Sequence, residues 1–199
     1  MFPLLESIKI LDGMPQNLAY HQYRFEASYF KMFKKLTKIK LANLIEVPEE
    51  NQKGIVKLRF LYNQNNCFCQ YMTYKPKEIQ KLKLIFKDNI QYPLKLTDRR
   101  LLGQLRLQKG PADDILIVKQ QRITDTSFTN IVLFDGQTWW TPQYPLLHGT
   151  ARSRLMDEKK IKAADILYTD LSSFKSFKLI NALLDFEEVK AYPVSHILL

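Results

Sequence analysis

Cysteine is nearly absent from this chain: Cys67 and Cys69 are the only two, and one residue separates them. On a strand, alternation sends both to one face, and two thiols are too few for a disulfide framework. A lone Cys-x-Cys also lacks the other two ligands of a structural zinc site, so both read as reduced, structural thiols and no metal is expected. Nowhere do 18 apolar residues run in succession, and MFPLLESIKILDG contains no basic leader followed by a long apolar run. The chain is therefore expected to be soluble and cytoplasmic, with no membrane partner. Internal repeats, low-complexity segments and coiled-coil heptads are missing as well.

What is present suffices for a core: 199 residues, 46% hydrophobic and 12% aromatic, allow one large domain or two small ones. A formal charge of +10 invites an anionic partner such as nucleic acid. The lysines, however, are scattered among acidic residues (Lys34, Lys35, Lys38, Lys40; Lys75, Lys77, Lys81, Lys83; Lys159, Lys160, Lys162). No glycine-aromatic RNA-binding signature interrupts them, so the charge reads as a solvated surface and nucleic acid is not the expected partner.

Along the chain, Leu4 to Leu11 alternates and Asp12-Gly13 signals a tight turn. Apolar residues from Leu18 to Leu36 recur at three and four, predicting a helix from Asn17 as N-cap to about Lys38, with a second short helix over Leu41 to Glu46. Ile55 to Asn63 and Phe68 to Tyr74 read as an antiparallel hairpin, and Leu82 to Phe86 as another strand. Thr97 or Asp98 can cap a helix bearing Leu101, Leu102 and Leu105 that Gly110-Pro111 stops. Strands are expected at Ile115 to Val118, Ile131 to Phe134, Trp139-Trp140 and near Ala164 to Tyr168. A short helix should start at Gly149-Thr150 and a last one should span Asp170 to Leu179. The polar Lys87-Asp88-Asn89 divides a domain over residues 1–87, through a linker at 88–94, from a second over 95–199.

The stretch from Arg122 to Arg154 carries a carboxylate and two hydroxyls, Thr124-Asp125-Thr126, ahead of an apolar strand, and ends in Gly149-Thr150-Ala151-Arg152. Polar groups at both ends of such a run can hold a flat, charged ligand; alone, it is a hairpin feeding a helix. Ahead of it stand Glu6-Ser7-Ile8-Lys9 with Asp12-Gly13, His21-x-x-Arg24 and Lys95-Leu96-Thr97-Asp98-Arg99. Within it stand Thr124-Asp125-Thr126-Ser127, Thr129-Asn130-Ile131, Thr141-Pro142 and Leu147-x-Gly149-Thr150-x-Arg152. This ordered set, spanning nearly the whole chain, resembles the class IV aminotransferases. These are fold-type IV enzymes that use pyridoxal 5'-phosphate: branched-chain and D-amino-acid aminotransferases and aminodeoxychorismate lyases.

The resemblance implies an α+β fold of two small domains, an N-terminal α/β sandwich and a C-terminal barrel-like sheet with short helices, assembled as a homodimer. It implies that Lys95 is the lysine that carries pyridoxal phosphate and acts as base, which requires a lowered pKa. Asp125 stands where the family usually has glutamate, facing the ring nitrogen and keeping it protonated. Gly149, Thr150 and Ala151 at a helix start, Arg24, and the turn at Asn181-Ala182 would hold the phosphate, with Asn130 of the same motif also near the cofactor. A threonine is common in the family where Ala151 or Ala182 stands, so backbone amides carry more of that task. Arg59, Tyr92, Arg100 and His148 are candidates to meet substrate carboxylates. Relatives usually begin with an additional strand and a glycine-aromatic loop on the substrate side, whereas this sequence starts almost at Glu6. That short N-terminal domain and Asn181-Ala182-Leu183 look like the lyases, implying a 4-amino-4-deoxychorismate lyase that yields pyruvate and 4-aminobenzoate, a folate precursor. The alternative is an aminotransferase acting on branched-chain or D-amino acids. An idle relative kept as an interaction module would not need lysine, acid and arginine together.

Overall fold

The structure, a computed structural model, describes all 199 residues. They divide into two compact units, residues 1–76 with 94–98, and residues 77–93 with 99–199. The chain thus passes between units three times, and Lys95 belongs to the first. This differs from a single linker at 88–94, because the backbone of residues 95–97 is captured by the first strand: Leu5 N–H donates to Lys95 O at 3.0 Å and Thr97 N–H to Pro3 O at 2.9 Å.

In the first unit, β1 (Leu4–Leu11) alternates as its sequence dictates, with Leu4, Ile8 and Ile10 fully buried. Asp12 and Gly13 take φ of 45° and 80°, and the chain reverses into the two-residue β2 (Met14–Pro15). Helix α1 (Leu18–Phe33) buries His21, Phe25, Ser28 and Tyr29. Asn17 does occupy the N-cap, but at φ 54° and without a side-chain cap, so its backbone alone makes the bend. The helix ends at Phe33 rather than Lys38 because Lys34 turns left-handed (φ 56°), its N–H closing on Phe30 O. Only a 3-10 turn, Leu41–Asn43, forms in place of the second short helix. Strands β3 (Ile55–Tyr62) and β4 (Cys67–Thr73) make the expected hairpin and complete an antiparallel sheet ordered β2-β1-β3-β4. Neither Cys67 nor Cys69 is in a disulfide. One face of that sheet and α1 close over Phe25, Leu41, Leu58, Phe60 and Tyr62.

The second unit is a nine-stranded mixed sheet. Its elements are β5 (Leu82–Phe86), α2 (Arg100–Arg106), β6 (Asp114–Lys119), β7 (Arg122–Thr126), β8 (Asn130–Phe134), β9 (Trp139–Pro142), α3 (Thr150–Asp157), β10 (Lys162–Ala164), β11 (Ser176–Ile180), β12 (Tyr192–Pro193) and β13 (Ile197–Leu198). The strand order β10-β9-β8-β7-β6-β5-β13 branches at β8, which also pairs with β11. Strand β6 is apolar from Ile115 to Val118 because both its faces are covered there. Leu116 and Val118 join a core with Ile123, Ile131 and Phe177, while Ile115 and Ile117 join another with Leu102, Leu105 and Leu146.

Two expectations fail here. The last predicted helix is instead a 3-10 turn (Tyr168–Ser173) followed by strand β11. Phe177 and Leu179 alternate into the core opposite Leu133 and Ile131, so tertiary pairing overrides local helical spacing. Helix α2 starts at Arg100, with Arg99 and not Thr97 at its N-cap, since the Thr97 hydroxyl is spent on Phe2 O at 2.7 Å. Thr124, Asp125 and Thr126 lie in β7. No helix is long and apolar enough to cross a membrane.

The β6–β7 hairpin turns on Gln120 and Gln121, both left-handed at φ 49° and 64°. Non-glycine residues pay about 1–2 kcal/mol each for that conformation, and two-residue turns of this type favour Asn-Gly. The double change Gln120→Asn, Gln121→Gly should therefore raise stability by about 1 kcal/mol, read as a melting temperature about 2–4 °C higher.

Candidate active site

Glu6 sits in the buried row of β1 with Leu4, Ile8 and Ile10, a carboxylate at an apolar position, and its side chain is fully buried. Helix α1 supplies its partners one turn apart. His21 Nδ1 lies 2.7 Å from Oε2, while Arg24 donates through Nε to Oε1 at 2.9 Å and through Nη2 to Oε2 at 2.5 Å. Burial by itself would raise the pKa of Glu6, but the Arg24 charge and the hydrogen bonds from His21 and Arg24 outweigh it and hold the pKa at about 2. Burial lowers the pKa of His21, and because the ionised Glu6 can only accept, the contact is a hydrogen bond donated by Nδ1. Nε2 is buried without a partner. The Lys95 charge also bears on His21, and the Lys95 main chain is fixed beside Leu5. The first unit thus gathers Glu6, His21, Arg24 and Lys95. Arg59 is not part of this group: it pairs with Ser7 on the opposite face of the sheet and donates to Gln70 Oε1 at 3.0 Å.

In the second unit the placement of Asp125 begins with a break in register. Leu116 pairs with Thr126 and Val118 with Ile123, so Ile117 faces two residues of β7, Thr124 and Asp125. Such a bulge re-aims a side chain. Strict alternation would send Asp125 with Ile123 into the apolar core; the bulge instead gives it to the face of Ile117 and Leu146. Thr124 secures the bulge by donating its hydroxyl to Ile117 O at 2.7 Å.

Asp125 is buried, and each of its oxygens accepts a hydrogen bond. Asn130 Nδ2 donates to Oδ1 at 2.7 Å and Leu147 N–H to Oδ2 at 2.9 Å. The other Nδ2 proton of Asn130 goes to Leu147 O at 2.9 Å, so Asn130 orients the carboxylate and the 146–149 loop together. Burial raises the pKa of Asp125 to about 7, against the lowering effect of those two donors and the Arg152 charge. Arg152 is itself 5% exposed; it donates to Pro142 O at 2.9 Å, and its Nε has no partner.

Gly149 leaves no room for a side chain, because a Cβ there would stand 1.9 Å from Asn130 Oδ1. It is the N-cap of α3, whose first turn has no side-chain cap, so Thr150, Ala151 and Arg152 present the positive end of the helix. Asn181 follows β11, whose Ile180 pairs with Asn130, and its Oδ1 accepts from Leu183 N–H at 2.8 Å. That amide shapes its own turn, which lies at the sheet end carrying Asp125 and Gly149.

Of the remaining candidates, Tyr92 lines a cavity of about 450 Å³ with Lys119, Arg122, Thr124, Tyr144 and Leu146. His148 is exposed within the loop that Asp125 and Asn130 hold, and Arg100 is exposed at the start of α2. Residue-by-residue reasoning passed over Glu6 and Arg152. For Glu6 the signal was visible, a carboxylate in step with an apolar row.

A small antiparallel sheet under one helix and a branched mixed sheet, with Arg24, Lys95 and the buried Asp125 following one another along the chain, are the features of a pyridoxal-phosphate enzyme of fold type IV. The family described as amino-transferase class IV matches residues 4–192, and the chain belongs to it. A Haemophilus influenzae protein without an assigned function is 37% identical over 185 residues, 92% of this chain and 98% of that one. A crystal structure from Haemophilus somnus of a candidate 4-amino-4-deoxychorismate lyase is 37% identical with a TM-score of 0.87, covering 92% of this chain and 97% of that chain. A candidate amino-acid aminotransferase from Mesorhizobium loti shares the fold, at 21% identity and a TM-score of 0.82, covering 96% and 99%.

Two measurements follow from the Asp125 network. Gly149→Ala should drive Asn130 off Asp125 and cost about 1–3 kcal/mol, seen as a lower urea midpoint. The second concerns pH. With a folded pKa near 7 against 3.8 unfolded, Asp125 makes folded protein bind the extra proton, so its contribution falls as pH rises from about 4 to about 7. Cofactor-free protein should lose up to about 4 kcal/mol from this group across that window. Asp125→Asn should flatten the decline in urea midpoint between pH 5 and 8; an unchanged decline would show that Asp125 is not its source.

Proposed function

We propose that this chain is a pyridoxal-phosphate-dependent 4-amino-4-deoxychorismate lyase that releases pyruvate and 4-aminobenzoate. The supporting observation is its 37% identity, over 92% of its length, to the Haemophilus somnus candidate for that activity. The residues fit the cofactor. Asp125 is a buried carboxyl whose two hydrogen-bond donors are neutral and whose pKa of about 7 leaves it ready to ionise beside a cation. The protonated ring nitrogen of the cofactor is such a cation.

When bound, pyridoxal phosphate withdraws electrons from the amine-bearing carbon of the substrate. Lys95 would anchor the cofactor covalently, and its free amine would take the proton from that carbon. Asp125, which the bulge orients, would keep the ring nitrogen protonated in the role that glutamate usually has in the family. Asn130 and Leu147 keep Asp125 in place. Arg24, the amides of Thr150 and Ala151, and the Asn181-Ala182 turn hold the phosphate. Tyr92, His148, Arg59 and Arg100 are the candidates to meet the substrate carboxylates. The homodimer expected of the family belongs to the same proposal.

Purified protein supplied with pyridoxal phosphate should show a visible absorption band that borohydride fixes on Lys95 and that Lys95→Ala abolishes. Given aminodeoxychorismate, it should release 4-aminobenzoate and pyruvate in equal amounts. Amino transfer from leucine, glutamate or D-alanine without that product would instead make it an aminotransferase.

A further inference from the structure

We propose that Glu6 and His21 form a buried support that fixes the guanidinium of Arg24 for a phosphate-bearing ligand, making Glu6 a positioning residue for anion binding despite its own negative charge. The inference rests on the assignment of Arg24 to the phosphate made above.

Three observations converge on it. First, the side chains of Glu6 and His21 are 0% and 1% exposed, whereas that of Arg24 retains 12%, so the support is internal and, of the three, Arg24 is the one with appreciable exposure. Second, the three contacts of Glu6 are one from His21 and two from Arg24. His21 in turn spends Nδ1 on Glu6 and leaves Nε2 without a partner, so its one polar contact is the hydrogen bond to the carboxylate. Third, a guanidinium has five N–H groups in a rigid plane. Glu6 engages Nε and Nη2, which locks the plane and leaves the Nη1 edge for a second anion. A long side chain held this way loses less freedom when it binds.

The arrangement opposes two effects, which gives the test a sign. The Glu6 carboxylate stands one guanidinium away from the bound phosphate and repels it. If charge alone mattered, neutralising Glu6 would tighten binding. If orientation matters more, neutralising it weakens binding, and only for ligands that carry phosphate. Pyridoxal lacks the phosphate and provides the comparison.

Dissociation constants of the cofactor-free, full-length protein for pyridoxal phosphate and for pyridoxal should be measured by absorbance, with inorganic phosphate as competitor. Glu6→Gln should weaken pyridoxal phosphate about tenfold, as losses of supporting partners commonly do, and leave pyridoxal within about twofold. Inorganic phosphate should compete correspondingly less well. His21→Leu should shift the same ratio in the same direction, and His21→Asn, which keeps a donor where Nδ1 stands, should restore it. This pair decides the matter should Glu6→Gln not fold. Equal or tighter binding of pyridoxal phosphate by Glu6→Gln, an equal loss for both ligands, or no effect of His21→Leu would overturn the inference. Arg24→Ala separates the layers: if it leaves the ratio unchanged, the phosphate role of Arg24 fails; if it lowers the ratio while Glu6→Gln does not, only the support fails.

Discussion

A carboxylate removed from water must find donors or a proton, and Asp125 meets that requirement with hydrogen bonds from neutral donors alone. The bulge opposite Ile117 takes its side chain out of the apolar core, Asn130 and Leu147 hold its two oxygens, and Gly149 is kept free of a Cβ so that Asn130 can stand where it does. One strand irregularity, one amide and one missing methyl group thus act as a unit. Any of them altered singly would leave a buried polar group without a partner, which costs more than the hydrogen bond itself contributes.

The chain also buries the carboxylates of Asp114 and Glu6, and the environment of Glu6 sets it to the opposite state. Glu6 has the Arg24 guanidinium in direct contact and is held at about 2. Asp125 has neutral donors, feels Arg152 without a hydrogen bond to it in the network, and is raised to about 7. Desolvation acts upward on both, so the difference comes from a bonded cation. Glu6 is therefore complete as it stands and suits a supporting role. Asp125 gains from a further positive charge, as a group waiting for a cationic ligand would.

The two environments are built from short local elements tied by long-range pairing. The segment carrying Lys95 has no regular structure of its own, yet its backbone is pinned to β1 from some ninety residues earlier in the chain. Strand β8 organises the second unit in the same way. Asn130 at its start pairs with Asp125 on one side and Ile180 on the other, and so brings the loop before α3 and the turn after β11 to one end of the sheet.

Alternation in β1 and β3, the continuous apolar run of β6 and the helical spacing of α1 were legible in the sequence because each pattern matches the face or faces that its element buries. The motif order was legible too, and with it the family, since Arg24, Lys95, Asp125 and Gly149 stand in an order that resembles that of the class IV aminotransferases. Tertiary structure decided the rest. It made residues 176–180 a strand, because Phe177 and Leu179 had a sheet to enter. It ended α1 early, assigned Lys95 to the first unit, and turned Asn130 from a nearby polar residue into the clamp of Asp125. The bulge was illegible for a plain reason: a break in register is a property of two strands, and Thr124-Asp125 carries no mark of it until Ile117 stands opposite.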